Sequence, residues 1–377
     1  MLTRDDLRTM RTFHSTKYPV MSLYFRIAKG TADEGKHPLK LKNLLAEIES
    51  QRGQWTTTQW ESISQDIARI REFIRDSHAS GEHNLVAFAC HGEGLWRTLA
   101  LSRPVPTRYH IHNHAQIKPL LRLLEAYTPT CTILVDQNRA RIFVSHGEHL
   151  DERLDMVGGV PGRHDQGGWA QARLQRHHDQ AVLHHLKSTA EEVFRIHKDD
   201  PVEGLLLGGT EEIISLFQEQ LHPYLRERVW ATFPTEMLVN IKNLNEQIQG
   251  IIRRTREAEH EDLLSQLEDG VGAGTFAVAG LEDTISALQK GQARTLIVAV
   301  GLRKEGQHCI QCGALTTEDD REACGYCGGS LAAVPDVVED ILQQAFDQGC
   351  QICSPEGPLA QRLMESGGIG ALLRYAS

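Results

Sequence analysis

The chain has 377 residues, with 40 Lys plus Arg against 50 Asp plus Glu, a formal net charge of −10, 40 % hydrophobic and 24 % charged residues. This is the composition of a globular protein of two or three domains. It excludes a generally basic nucleic-acid coat, because phosphate contacts need Lys and Arg. No apolar run approaches the ~20 residues of a membrane span, and the start MLTRDDLRTMRTF has no apolar signal core. A cytoplasmic protein without membrane association is therefore expected.

The charge is unevenly spread. Residues 1–128 carry 18 basic and 13 acidic groups (+5), residues 129–240 carry 11 and 17 (−6), and residues 241–377 carry 11 and 20 (−9). Asymmetry of this kind points to a polyanion partner for the N-terminal end.

In chain order, VMSLYF (20–25) reads as a strand, and 39–50 and 59–78 have apolar residues at helical spacing. LVAFAC (85–90) and LWRTLAL (95–101) form a hairpin joined by HGEG. The prolines of SRPVPTRY punctuate the exit from this region, and 117–127 reads as a helix. CTILVD (131–136) and ARIFVS (140–145) are two strands about the turn QNR. A Gly-, His- and Asp-rich loop (158–170) precedes a long polar helix, then EGLLLGG (203–209) is a strand and 210–221 a helix with Thr210 as cap. Residues 241–270 form a long charged helix. Strand TFAVAG, helix 281–291, strand RTLIVAV, helix 335–349, strand CQIC, helix 358–366 and IGALLRY complete the chain. The pattern predicts an α/β fold of three domains (1–114, 115–240 and 241–377), each a small mixed sheet with flanking helices.

Four of the eight cysteines, Cys309, Cys312, Cys324 and Cys327, form Cys-x-x-Cys, eleven residues, Cys-x-x-Cys, each pair followed by glycine (Gly313, Gly328). Four thiolates at this spacing make the closed tetrahedral site that Zn²⁺ prefers, so a structural zinc ribbon at 309–327 is expected. Cys90, Cys131, Cys350 and Cys353 sit in apolar strands and read as small core residues.

The sharpest feature is GRHDQGGWAQARLQRHHDQAVLHHLK (162–187). Leu174, Ala181, Val182, Leu186, Ala190, Val193 and Phe194 recur near the helical period, while Arg173, Arg176, His177, His184 and Lys187 lie largely off that stripe. Paired glycines ahead of such a helix permit close backbone approach to another surface. The plain alternative is a flexible loop before a surface helix.

Strand ILVD, strand ARIF, a Gly-Gly loop with a basic helix and LLLGG–helix resemble the central domain of the archaeo-eukaryotic peptide-chain release factor and Pelota superfamily. TFAVAGLEDTISALQKGQARTLIVA, the inserted Cys pairs and GGIGALLRY resemble its C-terminal domain, and residues 1–114 look more loosely like its bacterial branch. The resemblance implies a factor that binds the ribosome (rRNA and peptidyl-tRNA) in the A site. Its C-terminal domain would dock a translational GTPase. Family release factors place a Gly-Gly-Gln tip at the peptidyl-tRNA ester, where an amide helps orient water. Here Gly167 and Gly168 are followed by Trp169 and Ala170, and the first downstream glutamine is Gln171; Gln166 is a weaker candidate. Gly167, Gly168 and Gln171 are thus the catalytic candidates, and Arg163, His164, Trp169, Arg173, Arg176 and His177 the RNA-binding ones. The Asn-Ile-Lys-Ser loop that reads stop codons has no counterpart: Asn240–Ile241–Lys242–Asn243 lies in the linker helix. Two functions follow as expectations: stop-codon-independent peptidyl-tRNA hydrolysis in ribosome rescue, or non-catalytic A-site occupancy in hibernation. A free nuclease is disfavoured because no carboxylate cluster is visible.

Overall fold

The computed structural model describes residues 4–27, 37–80, 83–101, 105–121, 123, 128–160, 171–318 and 322–375. Residues 1–126 and 260–377 together make one unit, and residues 127–259 a second.

The first unit begins with α1 (Arg4–Thr12), β1 (Val20–Arg26), α2 (His37–Ser50), α3 (Thr57–Ala79), β2 (Asn84–Cys90), β3 (Leu95–Leu101), β4 (Arg108–His112) and the short α4 (Lys118–Leu121). Its sheet runs β3-β2-β1-β4. Every pairing is antiparallel, where mixed pairing is expected from the sequence. The tight β2–β3 hairpin reverses the chain, and β4 returns antiparallel along the free side of β1. A Thr56–Gln59 capping box opens α3. Met21, Leu23 and Phe25 of β1 and Leu85, Ala87 and Ala89 of β2 bury against Leu45, Ile48, Ile63, Ile67, Ile70 and Ile74 of the two helices. Two polar bonds tie the hairpin tip to α3. Buried Asp66 accepts from the His91 N–H at 3.2 Å, and Ser62 Oγ accepts from the Gly92 N–H at 3.0 Å.

The second unit contains β5 (Thr130–Val135), β6 (Arg139–His146), β7 (His149–Val157), α5 (Gln171–Asp199), β8 (Gly204–Gly208), α6 (Glu211–Gln220), α7 (Pro223–Arg226), β9 (Val229–Phe233) and the first part of α8 (Ile241–Gly272). The sheet order is β7-β6-β5-β8-β9. β5–β6–β7 pair antiparallel and β5–β8–β9 parallel. Both faces are covered: Ile133, Val135, Leu205 and Leu207 face α5 and α6, and Leu134 and Leu206 face Leu244, Ile248, Ile251 and Ile252 of α8. Strands buried on both sides read as unbroken apolar runs, which is why β5 and β8 are evident in the sequence. Thr210 holds the cap position of α6, but its side chain makes no cap bond.

The remainder of the first unit comprises the end of α8, β10 (Ala277–Ala279), α9 (Leu281–Gln289), β11 (Ala293–Val298), β12 (Gly306–Cys309), β13 (Leu315–Thr316), β14 (Leu331–Val334), α10 (Val337–Asp347), β15 (Gln351–Cys353), α11 (Gly357–Glu365) and β16 (Ile369–Leu373). One sheet is β10-β16-β11-β15, with only β11–β15 parallel, and a small sheet β13-β12-β14 carries the cysteine knuckles. Within this unit α4 packs on α10. Three ion pairs join the same segments: Arg108–Glu339 and Lys118–Asp340, both at 2.6 Å, and Arg11–Asp347 at 3.4 Å. Cys90, Cys131, Cys350 and Cys353 are all buried free thiols.

Burial pushes the Asp66 carboxyl up to about 7, against the pull of the His91 N–H and of Arg69. A carboxyl raised in the folded state contributes stability that is complete below its unfolded value near 4 and is lost as pH rises through 7. Asp66→Asn, which keeps an acceptor oxygen, is therefore expected to unfold at a higher temperature than wild type at pH 8. The gain is roughly 2–4 °C per kcal/mol recovered, and it closes towards pH 4 in melts followed by circular dichroism.

Candidate functional site

Helix α5 is the body of the candidate site. Val182, Leu186, Ala190, Val193 and Ile196 form its buried stripe on the central sheet. The opposite side carries exposed Arg176, His177, His184 and Lys187, so the expected amphipathic division is present. His178 and His185 depart from their exposed neighbours and are buried at 8 % and 4 %. Burial pulls His185 below the usual histidine range, so it is neutral at pH 7. Arg163, His164, Gly167, Gly168 and Trp169 lie outside the described residues. So do the side chains of Gln171 and Arg173, whose backbones belong to the first turn of α5.

The base of the loop is built by residues the sequence reading passed over. Asp136 Oδ1 accepts from the N–H groups of Asn138 (2.7 Å) and Arg139 (2.6 Å), which shapes the β5–β6 turn. Asn138 then holds the strand leaving β7: its carbonyl accepts from the Gly158 N–H, and its Oδ1 from the Val160 N–H at 3.1 Å. The His185 ring lies directly against Gly158, where a Cβ would fall 2.7 Å from Nδ1. Arg139 clamps β7 through a two-pronged pair with Asp155 (2.9 and 2.6 Å), and Arg141 does so with Glu152 (2.7 and 3.1 Å). The Asp-x-Asn turn is the one signal in the sequence that pointed here.

The second constellation is Cys309, Cys312, Cys324 and Cys327, whose sulfur atoms all lie within 4.8 Å of one another. Sγ–Sγ separations of 3.4 Å (Cys309–Cys327) and 3.6 Å (Cys312–Cys324) are far beyond a disulfide. They are near the roughly 3.8 Å edge of a tetrahedron with ~2.3 Å metal–sulfur bonds. Backbone N–H groups of Cys312 and Gln311 pull the Cys309 thiol down to about 6, and those of Cys327 and Tyr326 lower Cys324. Gly313 and Gly328 take φ of 72° and 71°, the left-handed turn each knuckle needs. The donor set fits a soft or borderline divalent metal, and a closed four-sulfur shell leaves no position for substrate.

Residues 116–280 match the family described as bacterial archaeo-eukaryotic release factor family 10. Peptide chain release factor subunit 1 of Methanocaldococcus jannaschii is 24 % identical over 99 % of this chain and 97 % of its own. The chain is thus similar to archaeal release factors along nearly its whole length, and its central part matches their bacterial family 10. The Archaeoglobus fulgidus subunit 1 is 25 % identical over 72 % of each chain. Among solved structures, the archaeal termination factor aRF1 aligns over 99 % of both chains at 17 % identity with a TM-score of 0.27. Archaeoglobus fulgidus Pelota aligns over 78 % of this chain and 79 % of its own, at 16 % identity and a TM-score of 0.30.

The packing of His185 on Gly158 has a local test. Gly158→Ala is expected to lower stability by roughly 1–3 kcal/mol through overpacking. His185→Ala should make the same change nearly neutral, giving a large coupling energy in a double-mutant cycle measured by denaturant melts.

Proposed function

We propose that this chain is a ribosome A-site factor that hydrolyses peptidyl-tRNA without reading a stop codon, in ribosome rescue or quality control. The observation that carries the reading is the chain-length match to peptide chain release factor subunit 1, combined with a Gly-Gly pair that precedes in sequence a helix whose outer face is basic. Gly167 and Gly168 let the backbone approach the ester closely, and the Gln171 amide orients the attacking water. The ester carbonyl–oxygen bond breaks, the peptide leaves as a carboxylate, and the tRNA regains its terminal hydroxyl. Arg173, Arg176 and His177, with Arg163 and His164, meet RNA phosphates, and Trp169 stacks on a base, worth ~1–3 kcal/mol. In this reading the ribosome supplies the rest of the catalytic surroundings. Action on ribosomes would place the protein in the cytoplasm.

The insertion of Trp169 and Ala170 between the glycines and Gln171 favours a second reading, non-catalytic occupancy of the A site in hibernation. In both readings the four cysteines hold a structural Zn²⁺, and the acidic C-terminal segment offers a docking face for a translational GTPase, as the resemblance implies.

Ribosomes carrying labelled peptidyl-tRNA should release peptide on addition of the protein, and Gln171→Ala should abolish release. Release that survives both Gln171→Ala and Gly168→Ala would remove the hydrolytic assignment; co-sedimentation without release would leave occupancy. Arg176→Glu should weaken co-sedimentation and flatten its salt dependence by about one unit of log–log slope. For the metal, about one zinc per chain should be found by elemental analysis. Cys309→Ser should lose it and, by proteolysis, expose the 306–334 segment.

A further inference from the structure

Strand β4 is the edge of the N-terminal sheet and continues as His110-Ile111-His112-Asn113-His114. Alternation along a strand puts the three histidines on one side. His114 is also bridged to His14 in an isolated antiparallel pair. Four imidazoles therefore stand in a row. Ring centroids are 5.4 Å apart for His14–His114, 5.9 Å for His112–His114 and 6.3 Å for His110–His112. Imidazoles sharing one ion at ~2.0–2.1 Å metal–nitrogen distance have centroids roughly 5 Å apart. The His14–His114 and His112–His114 spacings approach that value, and His14 and His112 are exposed to an arriving ion.

Two further observations fit a metal ion. Asn113 Oδ1 lies 2.8 Å from His114 Nδ1 and accepts its proton, leaving the Nε2 lone pair for an ion; metal-bound histidines are oriented by this kind of bond. The cations facing the row, Arg11, Arg108 and Lys118, are each paired with an acid of α10, which lessens their repulsion of an incoming cation. Next in line, His110 Nε2 is buried without a hydrogen-bond partner.

We propose that His14, His112 and His114 form a second metal site, open to solvent, for a borderline divalent ion such as Zn²⁺, Ni²⁺ or Cu²⁺. It differs in kind from the cysteine cluster: three nitrogen ligands leave coordination positions open for water or for a ligand presented by another molecule.

The test titrates the full chain, labelled with ¹³C-histidine, with Ni²⁺ at pH 7 and follows the histidine ring signals. Below one equivalent, the signals of His14, His112 and His114 should broaden first. His112→Gln and His14→Gln should each weaken Ni²⁺ binding at least tenfold, and Asn113→Ala should weaken it about tenfold or more. His177→Gln, on the outer face of α5, should leave it unchanged. Circular dichroism of each variant checks folding. Uniform broadening of all exposed histidines, or wild-type affinity in folded His112→Gln and His14→Gln, overturns the site.

Discussion

The central unit depends on the burial of one stripe of α5. Val182, Leu186, Val193 and Ile196 lie against strands that are themselves buried on both faces. Each such side chain is worth about 1.5–3 kcal/mol in transfer from water, set against the entropy of ordering it. That packing fixes the rotation of the helix about its axis. With the rotation fixed, Arg176, His177, His184 and Lys187 must point to solvent and His178 and His185 must point in. The basic outer face is thus a consequence of where the apolar residues fall, and needs no charge pairing to hold it.

Gly158 and Val160, which follow β7, are held from both sides by the same logic. On one side Asn138 grips Gly158 and Val160; on the other His185, one residue before Leu186, is pressed onto Gly158. A glycine is required at 158 because the ring occupies the space of a side chain. The loop's departure point is thereby coupled to the helix core, so loosening Leu186 would be felt at Gly158.

Much of this was legible in the sequence because the signals were of the strongest kinds. β5, β8 and β11 carry the apolar runs ILV, LLL and LIV, α3, α5 and α10 are periodic, and the cysteine spacing encodes its own geometry. What escaped reading were edge strands. β4 (RYHIH), β7 (HLDERLDMV) and β9 (VWATF) carry histidine, charge or exposed positions, because an edge or half-solvated strand need not be apolar. The antiparallel character of the N-terminal sheet escaped for a related reason: it rests on the return of β4, which propensity did not mark. Asn138 and His185 were missed because a turn residue and a buried histidine have no periodic signature.

Charge arithmetic changes meaning once its partners are known. The +5 balance of residues 1–128 suggests a basic surface, yet three of its cations are engaged by Glu339, Asp340 and Asp347 of α10. Arg71 is paired with Glu49, Arg75 with Asp76, and Arg69 lies 4.2 Å over the Trp96 ring. Most of the excess is therefore neutralised or stacked inside its own unit. On α5, exposed Arg176, His177, His184 and Lys187 share the stretch 176–187 with a single acid, Asp179. Because phosphate recognition depends on local field and not on segment totals, the weight of any RNA contact shifts from the N-terminal sheet to the outer face of α5.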